Sequence, residues 1–169
     1  MKTYKVTIED NGNKSWYLNG QRHREDGPAV EYADGYQAWY LNGKCHREDG
    51  PAIEDNGDKI WYLNGQRHRE DGPAAEYADG DKIWYLNGQR HREDGPAEEY
   101  ADGNKIWYLN GKCHREDGPA VEYANGDKSW YLEGNHYTED EWKAKLSPTK
   151  ELTVSEISKL LGYEVKVVK

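Results

Sequence analysis

Short runs of branched and aromatic residues, each closed by a polar turn, recur along this chain at a nearly fixed interval. In the stretch from Lys59 to Gly80, the run Lys59-Ile60-Trp61-Tyr62-Leu63 ends on Asn64-Gly65. Asn-Gly after such a run is the strongest two-residue hairpin signal. The chain then returns through Gln66 to Asp71, is interrupted at Gly72-Pro73, and resumes as Ala74-Ala75-Glu76-Tyr77 before a polar turn at Ala78-Asp79-Gly80. One unit is therefore two strands and two turns. Proline has no N–H to give to a ladder, so the second strand is expected to bend or bulge at each Gly-Pro step. Trp16, Trp39, Trp61, Trp84, Trp107 and Trp130 mark six copies at steps of 23, 22, 23, 23 and 23 residues. A period of this size is the mark of stacked repeats, in which neighbours supply one another's core. The predicted fold is mainly β, a meander of stacked hairpins.

Strand alternation places Trp61 and Leu63 on one face and Ile60 and Tyr62 on the other. Trp and Leu are constant in all six copies, whereas the Ile position becomes Ser15, Ala38 and Ser129. The Trp/Leu face is thus the expected core, with the six tryptophans as its residues. On the second strand Ala29, Ala52, Ala74, Ala97 and Ala120 never change, which suggests a tight contact under a Trp. The next residue varies through Val30, Ile53, Ala75, Glu98 and Val121 and reads as an exposed position.

Both ends depart from the pattern, as terminal caps of an array should. Val6-Thr7-Ile8-Glu9-Asp10-Asn11-Gly12 matches Pro51-Ala52-Ile53-Glu54-Asp55-Asn56-Gly57, so the chain opens on half a unit. The expected division is an array over 1–137, with a half repeat at 1–13, five full repeats and a partial sixth, followed by a cap over 138–169. Thr138 with Glu141 forms a capping box ahead of a short helix, Trp142 to Leu146, stopped by Ser147-Pro148. Thr153 with Glu156 opens a second helix, Ile157 to Leu161, which Gly162 closes before an apolar strand from Tyr163 to Val168. This tail is expected to cap the open sheet edge or to join two copies of the chain as a homo-oligomer.

Only 35% of the chain is hydrophobic and it holds no Phe, yet it carries 7 Trp and 14 Tyr. Aromatic residues bury large area while tolerating a wet edge, as a thin extended sheet requires. The formal net charge is -9. The six Lys and three Glu from Lys143 onward are net positive, so the repeat body is more acidic still. That sign disfavours nucleic-acid backbone and anionic membrane surfaces and suits a protein partner with a basic surface. Each repeat interleaves Arg or Lys with its acids, which argues against imitation of DNA. Cys45 and Cys113 sit three repeats apart, roughly 30 Å on inter-strand spacing, too far to be bridged. Free thiols point to a reducing cytoplasm. The N-terminus has no apolar leader segment, and no stretch approaches membrane-spanning length.

The block His-Arg-Glu-Asp begins at His23, His46, His68, His91 and His114. It holds a base, acids and a cation, but catalysis needs different residues converging on one spot, and five equivalent copies in a row do not offer that. The expected role is structural, with Asp capping the Gly-Pro turn and Arg and Glu pairing between units. The alternative is a binding stripe along the central copies, His46, Arg47, Glu48, Asp49, His68, Arg69, Glu70, Asp71, His91, Arg92, Glu93 and Asp94. Tyr62 and Tyr85 join it as candidates, since tyrosines alternating with arginines suit a stacked, nucleotide-like ligand. No metal is expected, because equivalent histidines lie about 10 Å apart and zinc needs its ligand atoms about 2 Å away. Asp79-Gly80-Asp81 reads as a polar turn rather than a calcium loop. No phosphate-cradling or dinucleotide motif is present and no cofactor is expected.

The pattern W-Y-L-N-G-x-x-H-x-x-x-G resembles MORN-type repeats, in their bacterial variant with a Y-x-N-G-K-x-H-G core. Tyr62, Asn64, Gly65, His68 and their equivalents carry the resemblance over residues 14–135. It implies a curved single-layer antiparallel sheet of stacked hairpins and a non-catalytic role in protein or lipid contact. The inserted R-E-D-G-P-A departs from that pattern. The longer H-R-E-D-G-P-A form, with its T-E-D-E-W ending and T-V-S-E-I-S-K-L-L-G-Y tail, resembles proteins of large bacteriophages. The resulting expectation is a soluble, non-enzymatic scaffold that binds a protein partner, a host defence protein if the chain is phage-encoded. A sponge for a small nucleotide-like ligand and an immunity protein against a cognate toxin are the alternatives.

Overall fold

The computed structural model describes residues 3–147 and 152–166. Within them the chain is mainly β, with 22 short strands and two helices near the C-terminus. A 14-stranded antiparallel sheet runs along the array, its strands following one another in chain order. In the third unit Ala75–Glu76 pairs on one side with Asp58–Ile60 and on the other with Lys82–Ile83. Beyond Trp84 the strand continues as Tyr85–Leu86, which pairs with Gln89–Arg90 in a separate two-stranded hairpin. The Asn-Gly turns close these hairpins with both residues left-handed, as at Asn64 (φ 52°) and Gly65 (φ 85°), the geometry whose twist matches the strands.

Each of Trp16, Trp39, Trp61, Trp84 and Trp107 is the point where the two ladders meet. The Trp84 N–H donates to Ala97 O at 2.8 Å, and the Trp84 carbonyl accepts from the His91 N–H at 3.2 Å. The segment between, Arg92 to Pro96, is therefore extruded as a loop while both its ends stay tied to one tryptophan. The bend expected at Gly-Pro is a complete interruption of the second strand. Proline and the missing N–H make the ladder uncontinuable there.

The core is a narrow band across the sheet, made of one cross-strand row and the constant alanines beside it. Ser15, Val30, Ala38, Ile53, Ile60, Ala75, Ile83, Glu98, Ile106, Val121 and Ser129 stand opposite one another in succession across the sheet. Val30 is 1% and Ala75 0% exposed, Glu98 and Val121 are buried and Ile53 is half-buried, so the variable position after the alanine faces inward, contrary to its reading as exposed. Its variation is balanced across strands: Ala75 lies between Ile60 and Ile83, and Ala38 between Val30 and Ile53. The constant alanines are completely buried, as a tight contact requires. The six tryptophans expected as the core are half-buried instead. In a single sheet their face has no second layer to cover it, and local loops do so only in part.

The adjacent row, on the opposite face, is polar. It runs Lys14, Glu31, Gln37, Glu54, Lys59, Glu76, Lys82, Glu99, Lys105, Glu122 and Lys128. Opposite charges facing across strands support the pairing that the neighbouring row drives.

At the C-terminal end α1 (Glu139–Leu146) and α2 (Val154–Leu161) both start on complete capping boxes, from Thr138 and Thr153. Gly162 ends α2 in the left-handed conformation (φ 74°). Helix α1 packs on Lys128–Leu132 and Asn135–Tyr137, the last strands of the sheet. The apolar strand expected from Tyr163 to Val168 is not formed over residues 163–166. There the Val165 N–H turns back to Ser158 Oγ at 2.8 Å instead of entering a ladder. Pro148, Val167 and Val168 lie outside the described residues.

Candidate functional site: the loop face

The five His-Arg-Glu-Asp blocks sit at the start of the extruded loops, on the face that carries Trp and Leu. Each His joins its unit to the next: Nδ1 of His23, His46 and His91 accepts the backbone N–H of Asn42, Asn64 and Asn110 at 3.0 to 3.1 Å. An accepting nitrogen carries no proton, so in these three rings the proton is on Nε2. Nε2 faces the glutamate of the same block, as in His46 and Glu48 at 3.6 Å and His91 and Glu93 at 3.8 Å. His68 and His114 make the same bond to Asn87 and Glu133.

Each Arg is held on every side. The Arg47, Arg69 and Arg92 guanidinium carbons lie 4.0 Å from the ring centroids of Trp39, Trp61 and Trp84. Arg69 Nε donates to Asp71 at 2.9 Å, and Nη1 donates to Pro73 O at 3.2 Å and to Glu76 at 2.9 Å. The same set recurs at Arg24, Arg47, Arg92 and Arg115. The ion pairs expected between units therefore lie within a unit. The Asp expected to cap the Gly-Pro turn binds the guanidinium, because the loop folds Asp back beside Arg. Cohesion between units comes from His and from main-chain bonds such as Arg69 N–H to Tyr85 O at 3.1 Å.

What the loops present outward is carboxylate. Glu70 and Asp71 are each 83% exposed, and Glu93 and Asp94 are 84% and 85% exposed. The hydrogen bond from Arg holds the carboxyls of Asp26, Asp49, Asp71, Asp94 and Asp117 below the usual range. Between successive loops lie four grooves of about 650, 680, 690 and 840 Å³. Each is floored by one Trp and one Leu, such as Trp84 and Leu86, and walled by the loops on either side. No pattern of polar residues along the chain announced these grooves, since they exist only between units.

Tyr62 and Tyr85 are not brought to this face. They lie on the other side of the sheet, where Arg67 Nε donates to the Tyr62 hydroxyl and Nη1 to the Tyr85 hydroxyl, each at 3.2 Å. Their pairing with arginine is mutual packing. One unit of that side holds a buried carboxylate: Glu98, 2% exposed, faces the Arg90 guanidinium and accepts from the Tyr100 hydroxyl at 3.0 Å. Burial and then the Glu98 carboxylate push the Tyr100 hydroxyl up to about 12.

Among the described residues no group of His, Cys, Asp and Glu is arranged to hold a metal ion. Asp81 of the turn that faintly suggests a calcium loop is spent accepting the Ala101 N–H at 2.8 Å. No described helix is long and apolar enough to cross a membrane. Comparison with known proteins gives no matching family model and no matching curated protein.

Proposed function

We propose that the chain is a non-catalytic scaffold that binds a protein partner with a basic surface through its loop face. The observation that carries this reading is the fixed display of carboxylates. Five loops, each fastened by an arginine stacked on a tryptophan, hold a Glu and an Asp outward at every step of the array. A rigid stripe of one charge steers and orients an oppositely charged partner without paying for its own ordering at the moment of binding. The arginines and histidines of the same blocks are engaged within the fold, which leaves the acids as the groups free to meet another molecule. Resemblance to repeat proteins of large bacteriophages makes a host protein, and a defence component in particular, the partner we favour.

The test compares the tagged chain with a variant carrying Glu48→Lys, Glu70→Lys and Glu93→Lys. Both are purified from bacterial lysate and weighed by native mass spectrometry. The scaffold reading expects a stoichiometric protein on the original chain and its loss from the variant at unchanged melting temperature. A bound mass of small-molecule size on both chains, with no protein, overturns the reading in favour of a ligand sponge.

A further inference from the structure

The array contains its own example of a filled groove. Thr138-Glu139-Asp140 stands where Arg115-Glu116-Asp117 stands one unit earlier. The pairing of Leu132 with Asn135 repeats that of Leu109 with Lys112, so the register is kept. The Gly-Pro step is missing there, and α1 grows in place of a sixth loop. It buries Trp142 to 9% exposure and sets the indole N–H 2.9 Å from the Arg115 carbonyl oxygen. The equivalent carbonyls of Arg24, Arg47, Arg69 and Arg92 have no such donor among the described residues.

Resting on the scaffold reading, we propose that the four grooves between loops are receptor sites for tryptophan side chains carried on a lysine- or arginine-rich segment of the partner protein. Trp142 is the built-in occupant of the position that follows them. Three features of each groove match that chemistry. A Trp and a Leu floor it and suit the apolar body of an indole. The free Arg carbonyl is an acceptor for the one N–H that indole carries. The rim bears exposed acids of two loops, such as Glu70, Asp71, Glu93 and Asp94, which favour cations beside the ring. Volumes of about 650 to 840 Å³ leave room for a bulky side chain and its flanking backbone. Tryptophan seated in a desolvated pocket with a charged rim is the usual anatomy of an interface anchor.

The experiment is a titration of the intact, isotope-labelled chain with the tripeptides Lys-Trp-Lys and Lys-Leu-Lys, followed by amide and indole NMR signals. The expected result is binding of the Trp peptide about tenfold tighter than the Leu peptide. Shifts should centre on Trp39, Trp61, Trp84, Trp107 and the loop arginines. Trp142→Ala should add one site to the titration endpoint. Leu86→Lys, which puts an ammonium on one groove floor, should remove one, and it keeps the test decisive if loss of Trp142 unfolds the cap. Equal affinity of the two peptides, with shifts confined to the exposed acids, overturns the groove proposal and leaves the acidic scaffold standing. Absence of binding by either basic peptide overturns both.

Discussion

The guanidinium of Arg69 lies flat enough on its own unit's tryptophan that its central carbon is 4.0 Å from the Trp61 ring centroid. The same side chain binds Asp71, Glu76 and the Pro73 carbonyl. One residue thus ties the extruded loop to the sheet. Arg69→Ala leaves the Trp61 face bare and removes the guanidinium hydrogen bonds to Asp71, Glu76 and the Pro73 carbonyl, and the expected loss is about 2 to 3 kcal/mol. Arg69→Lys should recover less than half of it, since an ammonium cannot reproduce the planar fork. Urea unfolding gives the magnitude, and hydrogen exchange at the His68 amide shows whether the opening is local, as expected in a repeat array. A loss below about 0.5 kcal/mol, the range of ordinary surface substitutions, means the arginine does not hold the loop.

The Glu98 and Arg90 pair gives two changes of opposite sign. Glu98 stands where other units have Val30, Ile53, Ala75 or Val121, in a row otherwise apolar between Ser15 and Ser129. Glu98→Val is expected to be neutral or stabilising by about 1 to 2 kcal/mol, because it ends the desolvation of a carboxylate and Arg90, 43% exposed, can turn to water. Arg90→Ala strands the buried carboxylate and should cost about 3 kcal/mol. Thermal melts of the two single variants suffice, and equal signs would refute the argument.

Acid should loosen the loops. The five aspartates bound to arginine have folded-state values below their ordinary ones. Their contribution is therefore complete above the unfolded value, near pH 4, and is lost as pH falls through the lowered folded values. Melting temperature should decline from about pH 4 downward for this reason. A chain with Asp49→Asn, Asp71→Asn and Asp94→Asn should show a shallower decline. An identical slope in the two chains assigns acid sensitivity to other groups.

The two thiols should be inert in the folded chain. Burial pushes Cys45 up to about 12, and burial followed by the Glu98 charge pushes Cys113 up to about 11. Since the thiolate is the reactive form, alkylation by iodoacetamide at pH 8 should be slow until denaturant is added. Rapid modification of either cysteine in the folded chain contradicts this.

Glu133 occupies a left-handed turn position, φ 51°, where the other five hairpins have Asn. Asn adopts that conformation more readily than Glu. Glu133→Asn should raise stability by about 0.5 kcal/mol despite losing the exposed contact to Lys112, because surface ion pairs contribute little. Differential scanning calorimetry of the variant measures it, and a lower melting temperature would show that the ion pair outweighs the backbone.

The repeat, the hairpins and the helix caps are legible residue by residue along the chain. Asn64-Gly65 sets a left-handed turn locally, Thr138 and Thr153 cap their helices within one turn, and the step between tryptophans repeats these local choices. None of them depends on a distant neighbour. Which face is buried, and which groups the His-Arg-Glu-Asp block binds, emerge only when each loop folds back on its sheet and one unit packs on the next. Constancy of Trp61 and variation at Ala75 pointed to the wrong face as core, because a row of single residues facing across strands tolerates exchange when its neighbours compensate. Constancy at Trp16, Trp39, Trp61, Trp84 and Trp107 reflects an arginine platform and a shared pair of main-chain bonds. Likewise the partners of Arg69 and the grooves over Trp84 arise only when a loop folds back on its sheet and a second loop stands beside it. That arrangement depends on stacking between units, which no single unit's pattern encodes.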